Sequence, residues 1–164
     1  MKAGALLFGL ALLSLPACGL RPVYAGGSKG PVATTLNQIE VATIPDRAGW
    51  LMHNALTDRL GRGGAEVRYR LEVTLDDRID GFGVRRDNAV TRERRTLRAR
   101  YRLVERETGT VLVDATAGSD AGIDVVSSEY SVIAAENSAL ERLTGDVADQ
   151  IVARLARYAS RPPA

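Results

Sequence analysis

Two stretches of this chain alternate apolar and polar residues without a break, and nothing else limits its fold so strongly. In the first, Val67, Tyr69, Leu71, Val73 and Leu75 point one way, and Glu66, Arg68, Arg70, Glu72 and Thr74 the other. In the second, Leu97, Ala99, Tyr101 and Leu103 oppose Arg94, Arg98, Arg100, Arg102 and Arg106. Successive side chains of a strand leave on opposite faces. Each stretch is therefore a half-buried strand with one dry and one wet face, as in an antiparallel sheet covered on one side. Thr110 to Ala117 repeats the pattern with Val111, Val113, Ala115 and Ala117 inward. Thr108-Gly109 supplies the turn that makes the last two strands a hairpin.

Residues of helical period supply the cover. Leu36 to Ile44 reads as a strand stopped by Pro45, and Asp46 then caps a helix running to about Leu60. Its apolar stripe is Ala48, Leu51, Met52, Ala55, Leu56 and Leu60, and Gly61, Gly63 and Gly64 end it. Residues 77–91, with Gly81, Gly83 and Asp87-Asn88, read as a loop or a long hairpin tip. After a Gly/Asp/Ser segment, Ser127 or Ser128 caps a long helix with Ile133, Leu140, Leu143, Val147, Ile151, Leu155 and Tyr158 on one face. Pro162-Pro163 ends it. The order is β-α-β-β-β-α. It predicts an α+β two-layer sandwich: a four-stranded, mostly antiparallel sheet with two helices packed on its dry face, over residues 36–159, with a tail at 160–164.

The N-terminus carries an address. Lys2 precedes an apolar run from Ala5 to Leu13, and Leu15-Pro16-Ala17-Cys18 closes it. The run falls well short of the roughly 20 apolar residues a spanning helix needs, and it has the flanks of a signal peptide, residues 1–17. Cys18 is the only cysteine, so an intramolecular disulfide is impossible. Its setting resembles a lipobox, which makes Cys18 the expected lipidation site and anchors the chain to a membrane through acyl chains. Residues 18–35, Gly-, Pro- and Ser-rich, read as the lipidated N-terminus and a flexible tether. Gly19 after the cysteine, by resemblance to sorting in enterobacteria, favours the outer membrane.

No converging set of catalytic groups can be assembled, so the expectation is no enzyme, no metal and no cofactor. His53, the lone histidine, reads as structural, and Asp76, Asp77 and Asp80 read as turn aspartates before a calcium site. Aromatic residues are 5% of the chain, too few for a stacking platform for single-stranded nucleic acid. The unusual feature is basic: between Arg85 and Arg106 lie nine arginines against three acids. Arg98, Arg100 and Arg102 share one face of a strand as a guanidinium ladder. Two readings stand. One is a solvated face with Glu66, Glu72 and Asp114 as counter-charges. The other is an anionic site, because arginine forks suit phosphate and carboxylate, with a phosphorylated or acidic glycolipid or an acidic patch on a protein partner as its candidates.

Cys18-Gly19-Leu20-Arg21-Pro22-Val23-Tyr24 resembles the mature start of the LptE family of lipopolysaccharide-assembly lipoproteins. Ile44-Pro45-Asp46-Arg47-Ala48-Gly49 with Asn54-Ala55-Leu56-Thr57-Asp58-Arg59-Leu60 resembles its first helix, and Ala148 to Leu155 its closing one. The resemblance implies an outer-membrane lipoprotein that partners the LptD β-barrel. It would help that barrel fold, plug it, and pass lipopolysaccharide to the outer leaflet. Its domain would lie on the periplasmic side or within the barrel lumen. The rival is an auxiliary lipoprotein of an ABC-type lipid transport system.

Overall fold

The computed structural model describes residues 30–61, 66–84 and 90–160. Within them the chain forms α1 (Pro31–Asn37), β1 (Ile39–Val41), α2 (Asp46–Leu60), β2 (Tyr69–Val84), β3 (Val90–Glu105), β4 (Val111–Asp124) and α3 (Glu129–Ala159). The strands make one sheet in the order β1-β2-β3-β4. β1 runs parallel to β2, and the other neighbours are antiparallel. This is the α+β sandwich that the alternation predicts, with one further short helix.

Register explains why one face is dry. Leu71 lies opposite Leu103, which lies opposite Val113; Leu75 lies opposite Ala99, which lies opposite Ala117. Leu71, Leu97, Ala99, Tyr101 and Leu103 are buried. Onto them pack Met52, Leu56 and Leu60 of α2 and Leu140, Leu143, Val147, Ile151 and Leu155 of α3, forming one continuous core. A buried Leu or Ile contributes roughly 1.5–3 kcal/mol over exposure, so this seam holds the two layers together. Thr144, the one polar residue buried with them among the described residues, returns its hydroxyl to the Leu140 carbonyl at 2.7 Å. Arg59 Nε donates to Asp149 at 2.6 Å and ties α2 to α3 outside the core.

The differences from the sequence reading have local causes. The tether reading extends to Thr35, whereas Pro31 opens α1, and Val32 and Leu36, one helical turn apart, are buried against the core. β1 is shorter than the Leu36-to-Ile44 reading because α1 takes Leu36 and Asn37 at one end and the pairing with β2 stops after Val41 at the other. Residues 77–84 and 90–91 are paired strand rather than the loop or hairpin tip of the sequence reading, because β2 and β3 keep pairing through Gly81; residues 85–89 lie outside the described residues. The Gly/Asp/Ser segment to Asp124 continues β4 opposite β3 rather than leaving the sheet. Ser128 is the cap of α3, accepting from the Ser131 amide, and Glu129 begins the first turn. Ile133 is exposed, however, because burial along α3 begins only at Ala139. Val111 is exposed too, beside the register shift at Leu103/Val104. Gly61 follows α2 with φ 92, whereas Gly63, Gly64, Cys18, the signal segment and the tail lie outside the described residues.

One close approach sets where α2 enters. The chain turns through Ile44, Pro45 and Asp46, which has φ 67, and brings the Ile44 carbonyl oxygen to 2.6 Å from where a Cβ on Gly49 would stand. Gly49→Ala is expected to destabilise the domain by about 1–3 kcal/mol through that clash. This outweighs the roughly 1 kcal/mol of helix propensity that alanine brings. A lowered urea midpoint with unchanged slope is the readout.

Candidate functional site

The sheet's uncovered face carries most of its charge. On β3 the side chains of Arg92, Arg94, Arg98, Arg100 and Arg102 leave this face on alternate residues, and all five are exposed. The structure thus brings the three ladder arginines together, as the strand period requires. It also gives each of them a carboxylate. Arg98 donates to Asp120 at 3.2 Å, Arg100 to Asp114 at 3.0 Å and Arg102 to Glu72 at 2.8 Å. Farther out, Arg92 meets Asp124 at 3.2 Å, and Arg106 reaches Glu40 of β1 at 3.1 Å. Arg94 stands over the Phe82 ring at 5.4 Å. Acids on β1, β2 and β4 therefore interleave with the cations of β3, which relieves the repulsion that like charges on one strand face would otherwise impose.

The titration of these acids follows from their donors. The Arg100 hydrogen bond holds Asp114 below the ordinary aspartate range. Asp120 is held below it first by the Thr96 hydroxyl at 2.7 Å, then by Arg98. Gly118 lies opposite Arg98, and a Cβ there would run into the Arg98 side chain, so this glycine gives the guanidinium its path to Asp120. Exposed pairs of this kind contribute little to stability and exchange partners easily. The face is a charge mosaic able to trade an internal carboxylate for an external phosphate or carboxylate.

Of the counter-charges expected from the sequence, Glu72 and Asp114 take that role, while Glu66 makes no ion pair among the described residues. Asp120, Asp124 and Glu40 were not legible as partners, because register decides them and register is not written in any one strand. His53 is half-buried in α2. Asp76, Asp77 and Asp80 lie within β2 rather than in a turn. Asp76 accepts from Arg78 at 2.9 Å, and Asp77 accepts from Nε and Nη2 of Arg95 at 2.9 and 2.5 Å. Arg95 also donates to the Glu136 carbonyl of α3 at 2.9 Å. No metal-holding cluster of His, Cys, Asp or Glu occurs among the described residues.

Two further features lie on the helix-covered side of the sheet. A cleft of about 590 Å³ opens where β1 leaves the edge of β2, lined by Ile44, Gly49, Val73, Leu75, Asp77 and Leu140 among others. At the distal end of the sheet, Ile79, Val126, Tyr130 and Ile133 are exposed. There Glu93 of β3 faces Glu136 of α3. Burial pushes the Glu93 carboxyl above its ordinary value, and the adjoining Glu136 carboxylate pushes it further. A raised carboxyl pKa penalises the folded state once pH rises past the unfolded value, so the penalty is full at neutrality and absent in acid. Glu93→Gln is expected to raise the melting temperature at pH 7 and to leave it nearly unchanged near pH 3, as thermal unfolding at both values checks.

The family model LptE: Lipopolysaccharide-assembly matches residues 36–155. No curated protein matches the chain. Among solved structures, a putative lipoprotein from Caulobacter crescentus CB15 superposes with TM-score 0.66 at 22% identity, covering 80% of this chain and 97% of that one. A minor lipoprotein from Acinetobacter baumannii gives 0.60 at 14% identity, covering 77% and 98%. The rare lipoprotein B of Shewanella oneidensis gives 0.56 at 8% identity, covering 73% and 93%. At these identities the likeness is one of fold. Among the described residues no helix is long and apolar enough to cross a membrane.

Proposed function

The chain belongs to the LptE family of lipopolysaccharide assembly, and from that premise we propose that it is a lipid-anchored partner of the LptD β-barrel at the outer membrane. It is placed there by acyl chains on Cys18. In this reading the domain assists assembly of the barrel, sits in its lumen as a plug, and takes part in delivering lipopolysaccharide to the outer leaflet. The role is binding and scaffolding rather than catalysis. The family match carries the reading, since it runs from the end of α1 through all four strands and most of α3. The charge mosaic supports it. A polar lumen can be met by a wet face of interleaved charges, whereas an apolar face would stay poorly solvated there.

Affinity capture of the tagged, lipidated protein from detergent-solubilised outer membranes tests the partnership. A stoichiometric LptD-like barrel, identified by mass spectrometry, is the expected result. Capture of an inner-membrane transporter subunit would favour the auxiliary-lipoprotein reading instead.

The anionic site is proposed on the same face. Arg98, Arg100 and Arg102 would exchange Asp120, Asp114 and Glu72 for lipopolysaccharide phosphates. Reversing the three charges together is expected to weaken lipopolysaccharide binding about tenfold or more, the loss of charge-assisted contacts. Unchanged binding in a folded triple variant removes the site while leaving the barrel partnership standing.

A further inference from the structure

The sheet has two outer edges, and they are treated differently. At the β4 edge, the Gln150 side chain of α3 donates to the Gly118 carbonyl at 3.2 Å and accepts from the Gly118 amide at 3.3 Å. One amide side chain thus stands in for a neighbouring strand at the middle of β4. At the β2 edge, β1 fills only the first few places. The Tyr69 amide donates to the Gln38 carbonyl at 3.1 Å, and the Ala42 amide closes the pairing on the Leu71 carbonyl at 2.9 Å. Beyond that the chain turns away through Ile44 into α2.

Strand alternation then fixes which groups are left. Tyr69 and Leu71 turn their backbone groups to β1, so Val73, Leu75, Asp77, Ile79 and Gly81 turn theirs to the same side. Among the described residues, no hydrogen bond reaches those groups from that side. A row of unpaired amides and carbonyls is a template for another strand. The cleft lies beside the start of this row, with Val73, Leu75, Ile44 and Leu140 as its apolar lining. A strand laid in line with β1 would drop a side chain into it.

We propose that the open edge of β2, from Val73 to Gly81, receives an extended segment of another polypeptide as a fifth strand of the sheet. Charge says what kind. Arg78 and Arg95 answer Asp76 and Asp77, but Asp80 and, at the cleft, Asp46 make no ion pair among the described residues, and they outnumber the one further cation there, Arg47. A second copy of this chain would bring the same carboxylates against them, and charge on an edge guards against such self-pairing. The segment that fits is a basic one, with an apolar side chain for the cleft, belonging to a different protein. That this protein is the barrel rests on the reading in the preceding subsection.

Ile79 allows the backbone to be tested apart from the side chain. Proline is tolerated in a strand where the lost amide faces away from the sheet, so Ile79→Pro removes one open-edge donor and leaves the β2–β3 ladder intact. Ile79→Ala keeps the donor and shortens the side chain. In capture of the barrel from outer membranes by full-length lipidated protein, Ile79→Pro is expected to reduce recovery about tenfold and Ile79→Ala to retain it. A photo-cross-linking residue in place of Ile79 is expected to join the chain to the barrel, and this holds as a test even where Ile79→Pro fails to fold. Equal recovery by a folded Ile79→Pro protein, or no cross-link to a barrel the wild type captures, overturns the inference and spares the partnership. A cross-link to a second copy overturns it in favour of self-association. Absence of a barrel from the wild-type capture overturns both.

Discussion

Strand β3 has to hold five arginines on one face while its other face lies in the core. Leu97, Ala99, Tyr101 and Leu103 are buried to within 2% exposure, so the strand cannot slip by one residue without driving guanidinium groups into the hydrophobic seam. The arginines are thereby committed to one side, spaced by two residues, and their mutual repulsion has to be met by something. It is met across the strands: Glu72 on β2 and Asp114, Asp120 and Asp124 on β4 sit at the registers that reach them. The acids come from both neighbours, so the charge is quieted across all three strands in the alignment that the apolar face sets. Apolar pairing on the dry face selects the register, and charge pairing on the wet face agrees with it.

That division of labour changes along the molecule. Near β1 the sheet is backed by α1, α2 and the buried half of α3, and apolar contact dominates. Toward the distal end, the first ten residues of α3 contain none that is buried, and the helix is fastened to the sheet by the Arg95 link to the Glu136 carbonyl. Arg95 in turn depends on Asp77, which holds its guanidinium charged and oriented while shielded from water. Apolar packing thus gives way to a polar fastening at the end where Ile79, Tyr130 and Ile133 are left exposed.

What could be read without coordinates follows from which signals are local. The alternation in β2 and β3 and the stripe of α2 are each contained in about a dozen residues and appear as read, while β4 and the long α3 follow their patterns except at Val111 and Ile133, which are exposed. Arg98, Arg100 and Arg102 fall on one face for the same reason. What was not legible depends on distance in the chain. Asp120 as the partner of Arg98 requires knowing that β4 continues past Ala117, through a Gly/Asp/Ser segment that looks like a loop. Glycine and aspartate in that segment are consistent with strand only because Gly118 accommodates the Arg98 side chain and Asp120 answers its charge. The Val32–Leu36 pair that makes α1 is equally invisible until a core exists for it to pack on, since seven residues are too few to hold a helix by themselves.

The two sheet edges complete the physical picture, because an edge is the one place where a sheet's own bonding is unfinished. Where this chain closes an edge it does so economically, with a single glutamine in α3 satisfying both backbone groups of Gly118. The helix that supplies Gln150 passes β4 and cannot serve β2 as well. β1 could have been extended along β2, but Pro45 has no amide to donate, and the close fit of Gly49 under the Ile44 carbonyl requires the chain to turn there. The constraint that seats α2 on the core is therefore the same one that leaves β2 bare from Val73 onward. An unfinished edge is in this sense a direct consequence of how the core is covered, and its aspartates are the means by which a bare strand stays free of its own kind.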